Sequence, residues 1–270
     1  MSKINDYISD KNNNGEKVLS VFLTSGYPNK ESFPQLAIDI LKAGADMLEI
    51  GFPFSDPLAD GPIIQASSLA ALENKINLAE TLKYVREIKT LSSSDPETNS
   101  KPIILMGYAN PVLNYGLGKF ATEAKESGVD GIIIPDVPVE EYDNFYIPEF
   151  DGIDVILLVT PTTSGERIKQ IDKKSKGFVY CVSVSGTTGN FNRKSTDNLD
   201  FIKNCYNNIS VNKMLVGFGI SKPEDAEQYA AFCDGVIVGS AVIKSLGNDS
   251  GNYNNTIELV KKLKAPLKKS

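Results

Sequence analysis

The chain has 270 residues, 41% of them apolar, enough for one large core and a normal length for a single-domain barrel. Its 34 acidic side chains outnumber 28 basic ones, and the net charge of −6 argues against general binding to nucleic acid or membrane surfaces. It has no histidine and no tryptophan, which removes the commonest acid–base group and, with only three cysteines, disfavours a zinc site.

The opening "MSKINDYISDKNNNGEK" carries charges and no apolar stretch, so it does not read as a signal peptide. Eight short apolar runs come after it: "VLSVFLT" (18–24), "DMLEIG" (46–51), "PIILMGY" (102–108), "DGIIIPD" (130–136), "DVILLVT" (154–160), "FVYCVSV" (178–184), "MLVGFGI" (214–220) and "DGVIVGS" (234–240). Each is nearly continuous in hydrophobicity, as expected for strands covered on both faces of a parallel sheet. Helix-like stretches lie between them, among them "KESFPQLAIDILKAGA", with Pro34 near its start, "LAETLKYVREIK" and "PEDAEQYAAF". Eight strands alternating with helices predict a (β/α)₈ TIM barrel spanning residues 1–270 as one domain. The polar stretches 91–101 and 247–255 read as surface insertions, not domain linkers. The lysine-rich end "VKKLKAPLKKS" reads as a solvated helix end. No apolar run approaches the 18 residues of a membrane span. Cys181, Cys205 and Cys233 form no CxxC pair and read as reduced thiols of a cytoplasmic protein.

Within the second run, Glu49 is a carboxylate in an apolar strand, near its carboxyl end. Chemistry in such barrels sits at that end. If Met47 and Glu49 share the lumen side, desolvation raises the Glu49 pKa and suits it to proton transfer near neutrality. The alternative is a carboxylate paired with a buried lysine or arginine. Asp56 and Asp60 lie next in a loop stiffened by Pro53, Pro57 and Pro62. Asp60 reads either as a second functional carboxylate or as a helix N-cap, and Asp56 as a turn residue. Glycine loops after the last three strands, "SGTTGN" (185–190), "GFGIS" (217–221) and "GSAV" (239–242), suggest a phosphate cradle of backbone N–H groups.

"FLTSGYP" at 22–28, "EIGFPFSDPLADGP" at 49–62, "GVDGIIIPDVP" at 128–138, "VSGTTG" at 184–189 and "GFGIS" at 217–221 together resemble the tryptophan synthase α subunit family, in order and over nearly the whole chain. The resemblance implies a TIM barrel that cleaves indole-3-glycerol phosphate to indole and glyceraldehyde 3-phosphate. It implies Glu49 as general acid–base and Asp60 as its partner carboxylate, accepting the indole N–H. It puts Tyr108 and Tyr180 near the substrate, Phe22 and Ile64 in the indole pocket, and Thr188 on a closing loop. Gly189, Gly219, Gly239 and Ser240 would hold the phosphate. Val184 stands where some relatives have arginine, and "MGYAN" at 106–110 replaces a bulkier version.

The same resemblance implies no cofactor and no metal in this chain. It implies a pyridoxal-phosphate β subunit as partner in an α₂β₂ complex. The loop holding Pro53 and Asp56 lies at the mouth of the expected site, where such a partner would dock. Other phosphate-sugar barrels remain as rivals, but a Schiff-base aldolase would need a strand lysine, and none of the eight runs carries one.

Overall fold

In the computed structural model, residues 2–183, 195–217, 219–249 and 251–268 are described. The strands are β1 (Val18–Thr24), β2 (Met47–Gly51), β3 (Ile103–Met106), β4 (Gly131–Ile133), β5 (Asp154–Val155), β6 (Leu157–Val159), β7 (Phe178–Val182), β8 (Lys213–Gly217) and β9 (Gly235–Val238). All pairings are parallel, and the order β5-β4-β3-β2-β1-β9-β8-β7-β6 describes a barrel. Its two ends, β5 and β6, are consecutive halves of the single run expected at 154–160. The first half pairs with β4 and the second with β7, so the ring closes through one segment that changes partner at Ile156. That is why nine strands stand where eight apolar runs were expected.

Helices cover the outside, placed much as their apolar periodicity implies. Helix Phe33–Lys42 carries Pro34 in its first turn, where the missing N–H costs nothing. Helix Leu78–Ser92 starts at Asn77, whose side chain accepts from the Glu80 N–H at 3.1 Å. Among the described residues no helix is long and apolar enough to cross a membrane. Cys181, Cys205 and Cys233 are free and buried.

The amino-terminal end of the barrel holds two features that the sequence does not display. The polar opening segment forms a helix, Lys3–Asn13, whose Ile4 and Ile8 are fully buried and plug the barrel floor. The lysine-rich end is not wholly solvated: Lys264 is 3% exposed, pairs with Asp46 at 2.7 Å and donates to the Lys17 carbonyl. Asp46 also accepts from the Leu19 N–H, so this pair ties the last helix to β1. A buried ion survives only with such partners. The bottom of the barrel is thus sealed, and open space is left at the carboxyl ends of the strands.

Candidate active site

Strand register places the first carboxylate. Phe22 of β1, Glu49 of β2 and Ile104 of β3 are neighbours across the sheet. Ser20 shares the face of Phe22 by the two-residue period. The Ser20 Oγ donates to Glu49 Oε1 at 2.8 Å, and Glu49 is 0% exposed. Its Oε2 has no hydrogen-bond partner among the described residues, and no lysine or arginine there forms an ion pair with it. Among the described residues, then, the ion-paired alternative finds no partner for Glu49. Burial raises the Glu49 pKa to about 8, against the opposing pull of the Ser20 hydroxyl.

Asp60 takes its place from the loop after β2. The Tyr108 Oη donates to Asp60 Oδ2 at 2.9 Å and itself accepts from the Ala59 N–H at 3.0 Å. Burial lifts the Asp60 pKa to about 6, with the Tyr108 hydrogen bond pulling it down. The N-cap alternative fails: Gly61 holds that position on helix Pro62–Glu73, and the Asp60 carboxylate is turned to Tyr108 instead. Ser68 of the same helix grips the loop, donating to the Phe54 carbonyl and accepting the Phe54 N–H, both at 3.0 Å. The Phe54 and Tyr108 rings pack against each other with centroids 5.2 Å apart, tilted by 32°. The mouth loop is thus tied down at both ends within this chain. Pro53 is buried, Asp56 is exposed and accepts from the Ser55 hydroxyl, and Leu58 at the tip is 91% exposed.

A cavity of about 450 Å³ opens at the carboxyl ends of the strands. Phe22, Ile64, Met106 and Ile237 give it an apolar lining, with Asp60 and Tyr180 as polar groups. Gly219, Gly239 and Ser240 line the same cavity. Gly239 is the N-cap of helix Ser240–Asn248, so unsatisfied N–H groups and the positive end of the helix dipole lie at the cavity wall. Tyr180 reaches inward because Gly217 has no side chain: a Cβ there would overlap the Tyr180 hydroxyl. Burial, then the charges of Glu49 and Asp60, hold the Tyr180 phenol well above its ordinary pKa, so it stays protonated. Tyr108 is not on this cavity; it lines a small adjoining recess with Asp60 and Phe22.

Glu49 is not on the cavity wall either. It lies beneath, in the barrel interior. Thr188, Gly189 and Val184 lie outside the described residues. Ser20, Met106, Ile237 and Ser68 were missed by sequence reasoning. Strand parity was the available signal for two of them: Ser20 shares a face with Phe22, and Ile237 with Gly239. Among the described residues no group of three or more cysteine or acidic side chains is placed to hold a metal ion.

Comparison with known proteins decides among phosphate-binding barrels. The profile of the tryptophan synthase alpha chain matches residues 8–270. The chain belongs to the tryptophan synthase alpha chain family.

The alpha chain from Petrotoga mobilis is 40% identical over 269 residues, covering 99% of both chains. The solved tryptophan synthase subunit alpha from Legionella pneumophila has a TM-score of 0.85 at 36% identity, with 99% of this chain and 98% of that one covered. A tryptophan synthase structure from M. tuberculosis, in an aminoacrylate-bound form, superposes with a TM-score of 0.84 at 28% identity, covering 99% of this chain and all of that one. Membership makes this chain a lyase for the indole-3-glycerol phosphate half-reaction of tryptophan synthase. In this family the pyridoxal phosphate belongs to the β subunit, and a β-subunit partner is implied.

Proposed function

We propose that the chain cleaves indole-3-glycerol phosphate by a retro-aldol reaction in which Glu49 carries the proton and Asp60 holds the indole nitrogen. The observation that carries this reading is a pair of carboxyls raised by burial to different degrees beside one cavity, Glu49 to about 8 and Asp60 to about 6. At neutral pH the first is mainly protonated and the second mainly ionised. Glu49 gives its proton to the indole ring carbon that bears the glycerol chain. The positive charge that develops on the ring is stabilised by Asp60, which accepts the N–H. The Glu49 carboxylate then takes the proton of the adjoining hydroxyl. The carbon–carbon bond breaks, leaving indole and an aldehyde, and Glu49 is protonated again.

Phe22 and Ile64 flank the indole ring, and Tyr180 stands as a hydroxyl donor beside it. Tyr108 keeps Asp60 aimed. The phosphate is held by N–H groups at Gly219, Gly239 and Ser240, with Thr188 and Gly189 contributing from the loop after β7. The partner β subunit docks over the mouth loop at Pro53 and Asp56 in an α₂β₂ complex in the cytoplasm, receiving indole from this site. The test is indole release from indole-3-glycerol phosphate by the purified chain. Glu49→Gln keeps the shape and should lose at least about 100-fold in kcat, the range for acid–base groups, with its circular dichroism unchanged. Near-normal cleavage by that variant would remove Glu49 from its role.

A further inference from the structure

Retro-aldol cleavage by Glu49 requires its carboxyl to meet substrate, and the role of Ser20 inferred below rests on that reading of Glu49. Glu49 does not line the cavity and is wholly buried. Its backbone is level with Phe22, a cavity residue, yet its Oε1 accepts from Ser20 at 2.8 Å. Ser20 lies two residues before Phe22 on β1, roughly 6–7 Å farther from the mouth along the strand. The carboxyl therefore leans down the barrel, under the Phe22 ring and away from the space a substrate would fill. Ser20 is itself fully buried and does not touch the cavity.

We propose that Ser20 is a positioning residue that holds Glu49 in a resting pose below the cavity, and that proton transfer requires the carboxyl to leave Ser20 and turn toward the mouth. The turn needs no backbone movement, because a strand residue has two common χ1 wells leaning in opposite senses. Physical chemistry fixes the direction of the effect. In the resting pose Glu49 Oε2 already has no hydrogen-bond partner among the described residues. Removing the Ser20 hydroxyl would orphan Oε1 as well, and a buried acceptor without a donor is costly. The forward pose, which does not use Ser20, loses nothing. Ser20 thus acts as a brake on the reaction.

The experiment measures kcat and KM for indole-3-glycerol phosphate with the full chain carrying Ser20→Ala or Ser20→Thr, each also in a Glu49→Gln background. Ser20→Ala should raise kcat about fivefold, the size of one net hydrogen bond, with KM changed less than about twofold because Ser20 lies off the cavity. Ser20→Thr keeps the hydroxyl and should return kcat to the wild-type value. With Glu49→Gln present, Ser20→Ala should change nothing. Should Ser20→Ala fold poorly, Ser20→Cys, a weak donor, should give a smaller rise in the same sense. An unchanged or lowered kcat in folded Ser20→Ala, or in Ser20→Cys where it stands in, overturns the proposal while Glu49→Gln remains inactive. Wild-type turnover by Glu49→Gln alone overturns the assignment of Glu49, and the brake with it.

Discussion

Glu49 and Asp60 are the same functional group in two surroundings. Glu49 is sealed from solvent with one hydroxyl donor, and burial pushes it to about 8. Asp60 reaches the cavity wall, receives the Tyr108 hydroxyl, and rises only to about 6. The proposed chemistry needs the first protonated and the second ionised. Activity should therefore have two limbs: kcat/KM should fall below about pH 6 as Asp60 gains a proton and above about pH 8 as Glu49 loses one. Asp60→Asn should cost at least about 100-fold, as loss of an electrostatic stabiliser does, and should erase the acidic limb from what activity remains. A pH–rate profile of both proteins checks this. An acidic limb that survives in the variant would belong to another group. Gly61, not Asp60, sits at the N-cap, so the substitution should leave helix Pro62–Glu73 intact.

Elements divide the cavity into two halves of different chemistry. Strands β1 and β3, the segments after β2 and β3, and helix Pro62–Glu73 supply apolar walls and the Asp60–Tyr108 pair. Segments after β8 and β9 supply glycines and a helix start. Gly239 allows the cleaner test of the second half. Gly219 has φ +78°, where any side chain strains the backbone, whereas a Cβ on Gly239 meets the Phe22 Cβ at an already tight 3.3 Å. Gly239→Val should fill the cradle and raise KM about tenfold, a loss of roughly 1.4 kcal/mol, with a smaller change in kcat. Steady-state kinetics decide it. An unchanged KM would put the phosphate elsewhere.

At the scale of the whole molecule, stability and chemistry occupy opposite ends of the barrel. The floor is locked by helix Lys3–Asn13 and the buried Lys264–Asp46 pair. The mouth carries the cavity and a loop that ends in the exposed Leu58. Indole is small, apolar and diffusible, so docking of a β subunit over that mouth would limit its escape and favour closure. Cleavage by the chain alone should be slow and should rise strongly on addition of the β subunit. Asp56→Ala should weaken that stimulation more than the basal rate, because Asp56 is exposed and makes no contact with the cavity. Titrating cleavage rate against β subunit, for wild type and variant, tests both statements. A flat wild-type response with a folded β subunit would sink the partnership. The mouth loop is already pinned by Ser68 and Tyr108, so any gain has to come from elsewhere than ordering residues 54–60.

The local pattern of residues determined the barrel, the carboxyl-end position of Glu49 and the glycine loops. Near-continuous apolar runs, glycines and prolines act within a few residues, and a sequence displays them directly. Contacts between distant segments were decided only by closure of the sheet. Ser20 and Glu49 are 29 residues apart, and Tyr108 and Asp60 are 48 apart. Each pair meets through strand register and a choice of side-chain rotamer, and neither leaves a periodic trace. The change of partner at Ile156 has the same cause, since a run of apolar residues looks alike whichever neighbour it bonds. Helix Lys3–Asn13 was hidden because only Ile4 and Ile8 of it are buried, too few to show as a pattern. The burial of Lys264 was hidden because its stabilising partner, Asp46, lies 218 residues away, and a lysine enters a core only where folding brings a carboxylate to meet it.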